Sequence, residues 1–172
     1  MSWVFDATPL IYLAKPGRLD VIETLDEPRI VPAAVHREVV TAGVERGYDD
    51  ARRIERAVEA GFLDVGTVDP TDSPVATRLR RHPGLSDADV AVLACAGARD
   101  GVAMIEVSAG RSAAEVENIE TRGTAYLVLS AVKRGAMAPE LGHETTDAMI
   151  DAGWYVSSGL YTKLVRTLES FE

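Results

Sequence analysis

A single cysteine occurs among the 172 residues of the chain, so no intrachain disulfide holds the fold together. Cys95 lies in the apolar stretch VAVLACAGA, where we expect a small buried side chain. The sequence also lacks an apolar run long enough to cross a bilayer, and its first residues lack the basic and hydrophobic regions of a signal peptide. These absences lead us to expect a cytoplasmic protein with no membrane partner.

Lysine is scarce as well, since it occurs only at Lys15, Lys133 and Lys163 among 18 positively charged residues. Asp and Glu number 27, which gives a net charge of −9. Because affinity for phosphate groups comes mainly from Lys and Arg, this balance argues against a protein that coats nucleic acids without specificity. It does not exclude an enzyme that meets RNA or DNA through bound cations.

The composition is that of a folded domain, with 47% hydrophobic and 26% charged residues. The length predicts one domain over 1–172, with a C-terminal helical segment over about 143–172 packed on it. Short apolar segments predict strands, and they are WVF (3–5), RIVP (29–32), FLDVGTV (62–68) and VAMIEV (102–107). Helical stretches separate them. This alternation predicts an α/β fold with three α/β/α layers around a mostly parallel sheet of four or five strands.

Three other segments have predictions that bear on the site. Pro32 stands where a helix can begin, and the stretch 33–43 is predicted to continue that helix as far as Gly43. The stretch 112–123 is predicted to be helical, and 124–135 fits either a strand with a turn or a helix.

Acidic residues stand at the ends of several predicted elements. Asp6 and Glu106 follow predicted strands, and ligands of parallel sheets bind beyond such strand ends. Each residue also fits a turn, and Asp6 also fits a helix cap. Asp87 and Asp89 open a helix, where Ser86 as N-cap and Asp89 three residues later form an acidic variant of the capping box. Glu38 taken alone reads as a solvated helix charge.

Taken together, these acids predict a cation site. Carboxylates forced close to one another must bind metal, share protons or destabilise the fold, and their hard oxygen atoms suit Mg²⁺ or Mn²⁺. The patterns CxxC, HExxH and GxxxxGK[ST] are absent from the sequence. His36, His82 and His143 lack metal-ligand spacing, so we do not expect zinc.

Four segments, in this order, resemble the PIN domain, a metal-dependent nuclease fold: VFDATPLIYLAK, IVPAAVHREVV, LSDADVAVLACA and MIEVSAGRSAAE. The chain is most similar to a branch that begins with an SSPLIYLAK-type motif. Its tail MIDAGWYVSSGLYTKLVRTL is similar to the C-terminal helical segment of that branch, so the resemblance extends over essentially the whole chain.

The resemblance implies a site carried over by position. The implied metal ligands are Asp6, Glu38, Asp87, Asp89 and Glu106. The implied catalytic set is Asp6, Glu38, Asp89 and Glu106 together with Thr8, whose hydroxyl matches a small hydroxyl residue of the family. Glu106 departs from the family pattern, which usually has Asp there, so its side chain is one methylene longer.

The activity implied by the resemblance is that of a Mg²⁺- or Mn²⁺-dependent ribonuclease that hydrolyses phosphodiester bonds. Basic residues that would contact the RNA are Arg78, Arg80, Arg81 and Arg111, although they equally fit a solvated helix surface. The family further implies a homodimer and a toxin role with an antitoxin protein as partner.

Two alternatives remain at the level of sequence. One is a catalytically degenerate PIN-like protein that binds RNA or a protein partner. The other is a phosphatase of the haloacid-dehalogenase type, which also begins with a strand and an Asp. That chemistry needs a second Asp two residues after the first, and this chain has Thr8 there.

Overall fold

A computed structural model describes residues 1–26, 28–67 and 73–172 of the chain. Its strands, in chain order, are β1 (Trp3–Phe5), β2 (Arg29–Pro32), β3 (Asp64–Gly66), β4 (Val102–Met104) and β5 (Glu120–Arg122). The helices before β4 are α1 (Ala7–Ala14), α2 (Asp20–Glu23), α3 (Ala33–His36), α4 (Ala42–Glu45), α5 (Asp49–Glu59), α6 (Pro74–Arg80) and α7 (Asp87–Ala98). Those after it are α8 (Ser108–Val116), α9 (Thr124–Lys133), α10 (Pro139–Asp151) and α11 (Ser158–Glu169). A π-helical segment, Arg37–Thr41, joins α3 to α4.

The five strands form one all-parallel sheet in the order β3-β2-β1-β4-β5. The predicted three-layer α/β/α architecture around a parallel sheet is therefore confirmed. The chain adds β2 and β3 on one side of β1 and then crosses to add β4 and β5 on the other. In sheets of this kind, ligands bind beyond the carboxyl ends of the strands at the point where the strand order reverses. That point lies between β1 and β4.

The core surrounds these two central strands. Phe5 at the end of β1 pairs in register with Met104 at the end of β4, and both side chains are fully buried. Helix α7 packs against β1, β2 and β4. Leu93 and Cys95 on α7 belong to the core, and burial of Cys95 agrees with the prediction. Tight packing of this kind fixes the positions of the residues that follow each strand.

The predicted helix over 112–123 is wrong in its second half. Helix α8 begins earlier, at Ser108, and ends at Val116, and Asn118 then has a left-handed backbone with φ of 56°. The chain turns there and enters β5, which pairs with β4. All three residues of β5 are polar, so this edge strand lacks the apolar pattern that predicts a strand. The stretch after β5, for which the sequence allowed either a strand with a turn or a helix, is helix α9.

Predicted strand lengths also differ from the observed ones. The segment predicted as a strand over 62–68 is a strand only at Asp64–Gly66, and Val68 lies outside the described residues. The strand predicted over 102–107 ends at Met104, which leaves Glu106 in the connection to α8.

The C-terminal segment forms two helices, α10 and α11, which pack on each other and on α9. Leu164 and Leu168 bury the apolar face of α11, in agreement with the predicted helical pair. In the ranges that the structure describes, every helix is too short or too polar to cross a membrane.

Candidate active site

Asp6 stands at the carboxyl end of β1, beside the point where the strand order reverses. Its backbone N–H donates to the carbonyl oxygen of Met104 on β4, at 3.1 Å. Asp6 has an extended backbone and is the N-cap residue of α1. The side chain is only 6% exposed. The strand pairing therefore fixes a carboxylate in the interior at this edge of the sheet.

The pKa of Asp6 is raised from an ordinary 3.8 to about 6, and burial is the largest cause. The backbone N–H of Ala7 opposes this effect, because it stabilises the ionised form. Repulsion from three carboxylates adds to the effect of burial within this value, and in decreasing order they are Asp89, Glu38 and Glu106. Four carboxylates that lie far apart in the sequence thus share one region of the molecule.

Asp89 reaches this region from the first turn of α7 and is 7% exposed. The oxygen Oδ2 of Asp89 accepts the backbone N–H of Ser86 at 3.0 Å, and the Ser86 hydroxyl accepts the backbone N–H of Asp89 at 3.1 Å. The predicted capping box is therefore confirmed. It uses one carboxylate oxygen of Asp89 and fixes the direction in which the side chain points.

Glu38 comes from the π-helical segment, which the sequence pattern did not predict. A π turn inserts one extra residue into a helix and so rotates the side chains that follow, and such turns are frequent at functional sites. Here Val39 and Val40 are buried while Glu38 is exposed. Glu38 makes no hydrogen bond or ion pair with any residue that the structure describes.

Glu106 completes the group from the connection after β4, and each of its two carboxylate oxygens accepts a hydrogen bond. One oxygen, Oε1, accepts the backbone N–H of Thr124 at the start of α9, at 2.7 Å. The other, Oε2, accepts the indole N–H of Trp154 at 3.1 Å. Trp154 is buried and joins the C-terminal segment to the site. Sequence reasoning missed it, because its partner lies 48 residues away in the chain.

A family model for the PIN domain (DUF3368) matches residues 2–170 of the chain. The chain belongs to the PIN domain family. Members of this family are typically nucleases, so membership supports a nuclease-type function. Comparison with curated proteins gave no match, and neither did comparison with solved structures.

Asp87 stands apart from the four carboxylates of this PIN domain. It is exposed and is not among the groups that shift the pKa of Asp6. It lines a separate cavity of about 490 Å³ together with Arg37 and Arg80, beyond the ends of β2 and β3. Thr8, by contrast, lies in the first turn of α1, two residues from Asp6, and is partly buried.

The four arginines predicted to contact nucleic acid lie in different surroundings. Arg78 forms a bidentate pair with Glu117, at 2.8 and 2.7 Å, which engages its guanidinium on the protein surface. Arg81 is exposed at the end of α6, and Arg80 lines the cavity that contains Asp87. Arg111 lines a different cavity, which it shares with Glu106.

The carboxylates interact across the site without forming a ready metal cage. Within residues 1–26, 28–67 and 73–172, no three His, Cys, Asp or Glu side chains form a group that could hold a metal ion as they stand. Oxygen donors on Asp6, Asp89 and Glu38 are nevertheless of the type that Mg²⁺ and Mn²⁺ prefer.

Proposed function

We propose that this PIN domain is a divalent-metal-dependent endoribonuclease that hydrolyses phosphodiester bonds of RNA. The observation that carries the proposal is the Asp6 carboxylate, buried where the strand order reverses and repelled by three other carboxylates. An arrangement that raises the pKa of a buried acid to about 6 is costly to the fold. A divalent cation between these carboxylates would remove that cost.

The donor set fits Mg²⁺ or Mn²⁺ chemically. Asp6 supplies a buried carboxylate, Asp89 has one oxygen outside its capping box, and the exposed Glu38 is free to turn inward. When bound, the cation would supply positive charge for the scissile phosphate and lower the pKa of a coordinated water. Glu106 would join through whichever oxygen gave up its present hydrogen bond. Asp87 would stay outside the set.

The remaining roles fall to residues that surround the acids. Thr8 follows Asp6 by two residues, and its hydroxyl is proposed to orient the attacking water or a phosphate oxygen. Arg111 is proposed to bind a phosphate of the RNA, because it is a cation in the same cavity as Glu106. A local cation of this kind would offset part of the repulsion between RNA and a chain whose net charge is −9.

The test is cleavage of single-stranded RNA by the purified chain with Mn²⁺ and with EDTA. We expect cleavage with Mn²⁺ only, and a loss of at least about a hundredfold in the Asp6→Asn and Asp89→Asn variants, since direct ligands matter more than their supporting partners. Glu45→Gln, a change at an exposed acid on α4, is the matched control and should leave the rate unchanged. Cleavage that survives in the Asp6→Asn/Asp89→Asn double variant would reveal a contaminating nuclease.

One observation favours a second candidate, a catalytically degenerate PIN domain that binds RNA or a protein partner. Both carboxylate oxygens of Glu106 are used within the protein, by Thr124 and Trp154, as expected for an acid that serves the fold. This candidate predicts no cleavage and no thermal stabilisation by Mn²⁺, with Asp6→Asn behaving like the wild type in both assays. The nuclease predicts the opposite results.

The toxin role, the antitoxin partner and the homodimer are further parts of the proposal, and they rest on family resemblance. If the chain is a toxin, its expression should arrest growth, whereas expression of Asp6→Asn should not. The homodimer predicts twice the mass of the chain in light scattering.

A further inference from the structure

A cavity of about 380 Å³ lies next to the candidate active site. Its walls come from the connection after β4, from α8, from the start of α9 and from the turn between α10 and α11. The volume falls within the range of about 300–1,000 Å³ that is usual for small-molecule sites. Glu106 lines this cavity and also belongs to the four carboxylates, so the cavity continues the candidate active site.

The cavity contains the guanidinium of Arg111, which is hydrogen-bonded to the protein through one of its three nitrogens. The Nε of Arg111 donates to the carbonyl oxygen of Ile105 at 3.2 Å, which fixes the side chain against the strand end. The outer nitrogens of its guanidinium make no hydrogen bond or ion pair with the described residues. Nη2 lies over Gly123, where an added Cβ would come within 2.6 Å of it. Glycine at this position therefore makes room for the guanidinium, which is available to an anion.

The rim of the cavity contains an aromatic ring without a partner. Tyr155 is 86% exposed, the highest value of any large hydrophobic side chain in the described ranges. The other tyrosine of the cavity, Tyr126, is differently placed, because it stacks on Trp3 at 6.0 Å and lies 5.4 Å from the guanidinium of Arg122. Exposed aromatic rings beside a cation are typical of single-stranded nucleic-acid sites, where bases stack on them.

We propose that this cavity binds one unpaired nucleotide of an RNA strand, with its phosphate on Arg111 and its base on Tyr155. The proposal rests on the proposed function, since an RNA strand lying over the four carboxylates would continue into the cavity past Glu106. Trp154 holds the turn that carries Tyr155, because its indole N–H is bonded to Glu106. The C-terminal segment thereby supplies part of the substrate site.

The charges favour a nucleotide over a segment of a protein partner. Glu106 and Arg111 form no ion pair in the part of the chain that the structure describes, and the oxygens of Glu106 accept hydrogen bonds from Thr124 and Trp154 instead. A phosphate can pair with the guanidinium through two hydrogen bonds. Among the large apolar side chains that line the cavity, Tyr155 and Leu160 are exposed, and together they offer enough surface for one base.

Binding can be tested separately from cleavage. The probe is a fluorescein-labelled 2′-O-methyl hexaribonucleotide, titrated in EDTA and followed by fluorescence anisotropy. EDTA withholds the cation that the proposed cleavage needs, and the methyl groups block contaminating ribonucleases that use the 2′-hydroxyl as nucleophile. We expect Arg111→Ala and Tyr155→Ala each to weaken binding about tenfold, and Tyr155→Phe to retain it, because stacking needs the ring and not the hydroxyl. Gly123→Ala should weaken binding by displacing the guanidinium.

Matched controls come from outside the cavity. Arg52→Ala removes an exposed arginine from α5, and Tyr48→Ser removes an exposed tyrosine next to the same helix. Both should bind the probe like the wild type. A double-stranded version of the probe should bind at least about tenfold more weakly than the single strand, since its bases are stacked on one another.

The outcomes separate this proposal from the proposed function. If Asp6→Asn loses cleavage but keeps probe binding, both proposals hold. If the wild type does not cleave RNA but binds the probe with the expected dependence on Arg111 and Tyr155, the nuclease fails and the nucleotide site stands. If the probe does not bind, or binds equally to Arg111→Ala and Tyr155→Ala, the nucleotide site is overturned and Tyr155 is left for a protein partner.

Discussion

Asp6 follows β1 and Glu106 follows the neighbouring strand β4, and the two residues carry the same charge in opposite surroundings. Asp6 is buried, with three carboxylates that repel it and the backbone N–H of Ala7 as the opposing group. Glu106 is half-buried and accepts two hydrogen bonds, from Thr124 and Trp154. Ionised Asp6 therefore costs stability and would gain from a cation, whereas ionised Glu106 contributes to stability by joining α9 and the C-terminal segment to the sheet.

The largest expected effect on stability is at Asp6. Its pKa is about 6 in the folded chain and near the ordinary 3.8 in the unfolded chain. Well below pH 3.8 both states are protonated and burial of the charge costs nothing. As the pH rises from 4 to 6 the unfolded state ionises first, so stability falls, and above pH 6 the cost levels off at about 3 kcal/mol.

Asp6→Asn removes this titration. We expect the variant to be more stable than the wild type at pH 8, by up to about 3 kcal/mol, with the difference falling to less than about 1 kcal/mol at pH 4. Urea unfolding in EDTA at both pH values measures it, and Glu45→Gln at an exposed acid is the control. If Asp6→Asn were the less stable protein at pH 8, the repulsion among the four carboxylates would be compensated by something other than a cation.

The same chemical change at Glu106 is expected to have the opposite sign. Glu106→Gln keeps one acceptor oxygen, but its NH₂ group must face one of two donors, Thr124 N–H or the Trp154 indole. Loss of a hydrogen bond to a charged group costs about 1.5–3 kcal/mol. We therefore expect destabilisation by about 2 kcal/mol at pH 8, measured by urea unfolding.

A double-mutant cycle with Trp154→Phe identifies the bond responsible. The cycle uses Glu106→Ala, which removes both acceptor oxygens, so this change and Trp154→Phe both remove the contact between the indole N–H and Oε2, and their effects should add to more than the effect of the double variant. Fully additive effects would mean that Thr124 alone holds Glu106, and the C-terminal segment would then be independent of the site.

The sequence predicted the features that local patterns encode. Asp6 could be placed because an apolar strand precedes it, and the capping box of Asp89 because Ser86 stands three residues before it. Strand β5 was missed since Glu120 and Arg122 give no apolar signal, and its pairing with β4 depends on the turn at Asn118.

Two features of the site could be recognised only in the folded chain. The π turn at Glu38 has no residue pattern of its own in the sequence, and only the folded chain shows Val39 and Val40 of this turn in the core. The bond between Glu106 and Trp154 joins parts of the chain that only tertiary packing brings together. Sequence reasoning therefore found the acids but could not tell which of them the protein itself already satisfies.

The carboxylate of Asp89 is hydrogen-bonded more than that of Asp6 and less than that of Glu106. A change at its capping box has the smallest expected effect on stability. Its Oδ2 atom accepts the Ser86 backbone N–H, so this carboxylate is half satisfied. Ser86→Ala removes the hydroxyl that accepts the Asp89 N–H, and it leaves the bond to Oδ2 in place. We expect a loss of about 1 kcal/mol in the free energy of unfolding, the usual value for an N-cap.

The response to Mn²⁺ should be unchanged in Ser86→Ala, because the Asp89 side chain is still oriented by the remaining bond. Thermal unfolding with and without Mn²⁺ measures both quantities on one sample. A weaker Mn²⁺ response in this variant would show that the serine hydroxyl, and not the backbone bond, holds Asp89 in place. The capping box would then be part of the cation site as well as the start of α7.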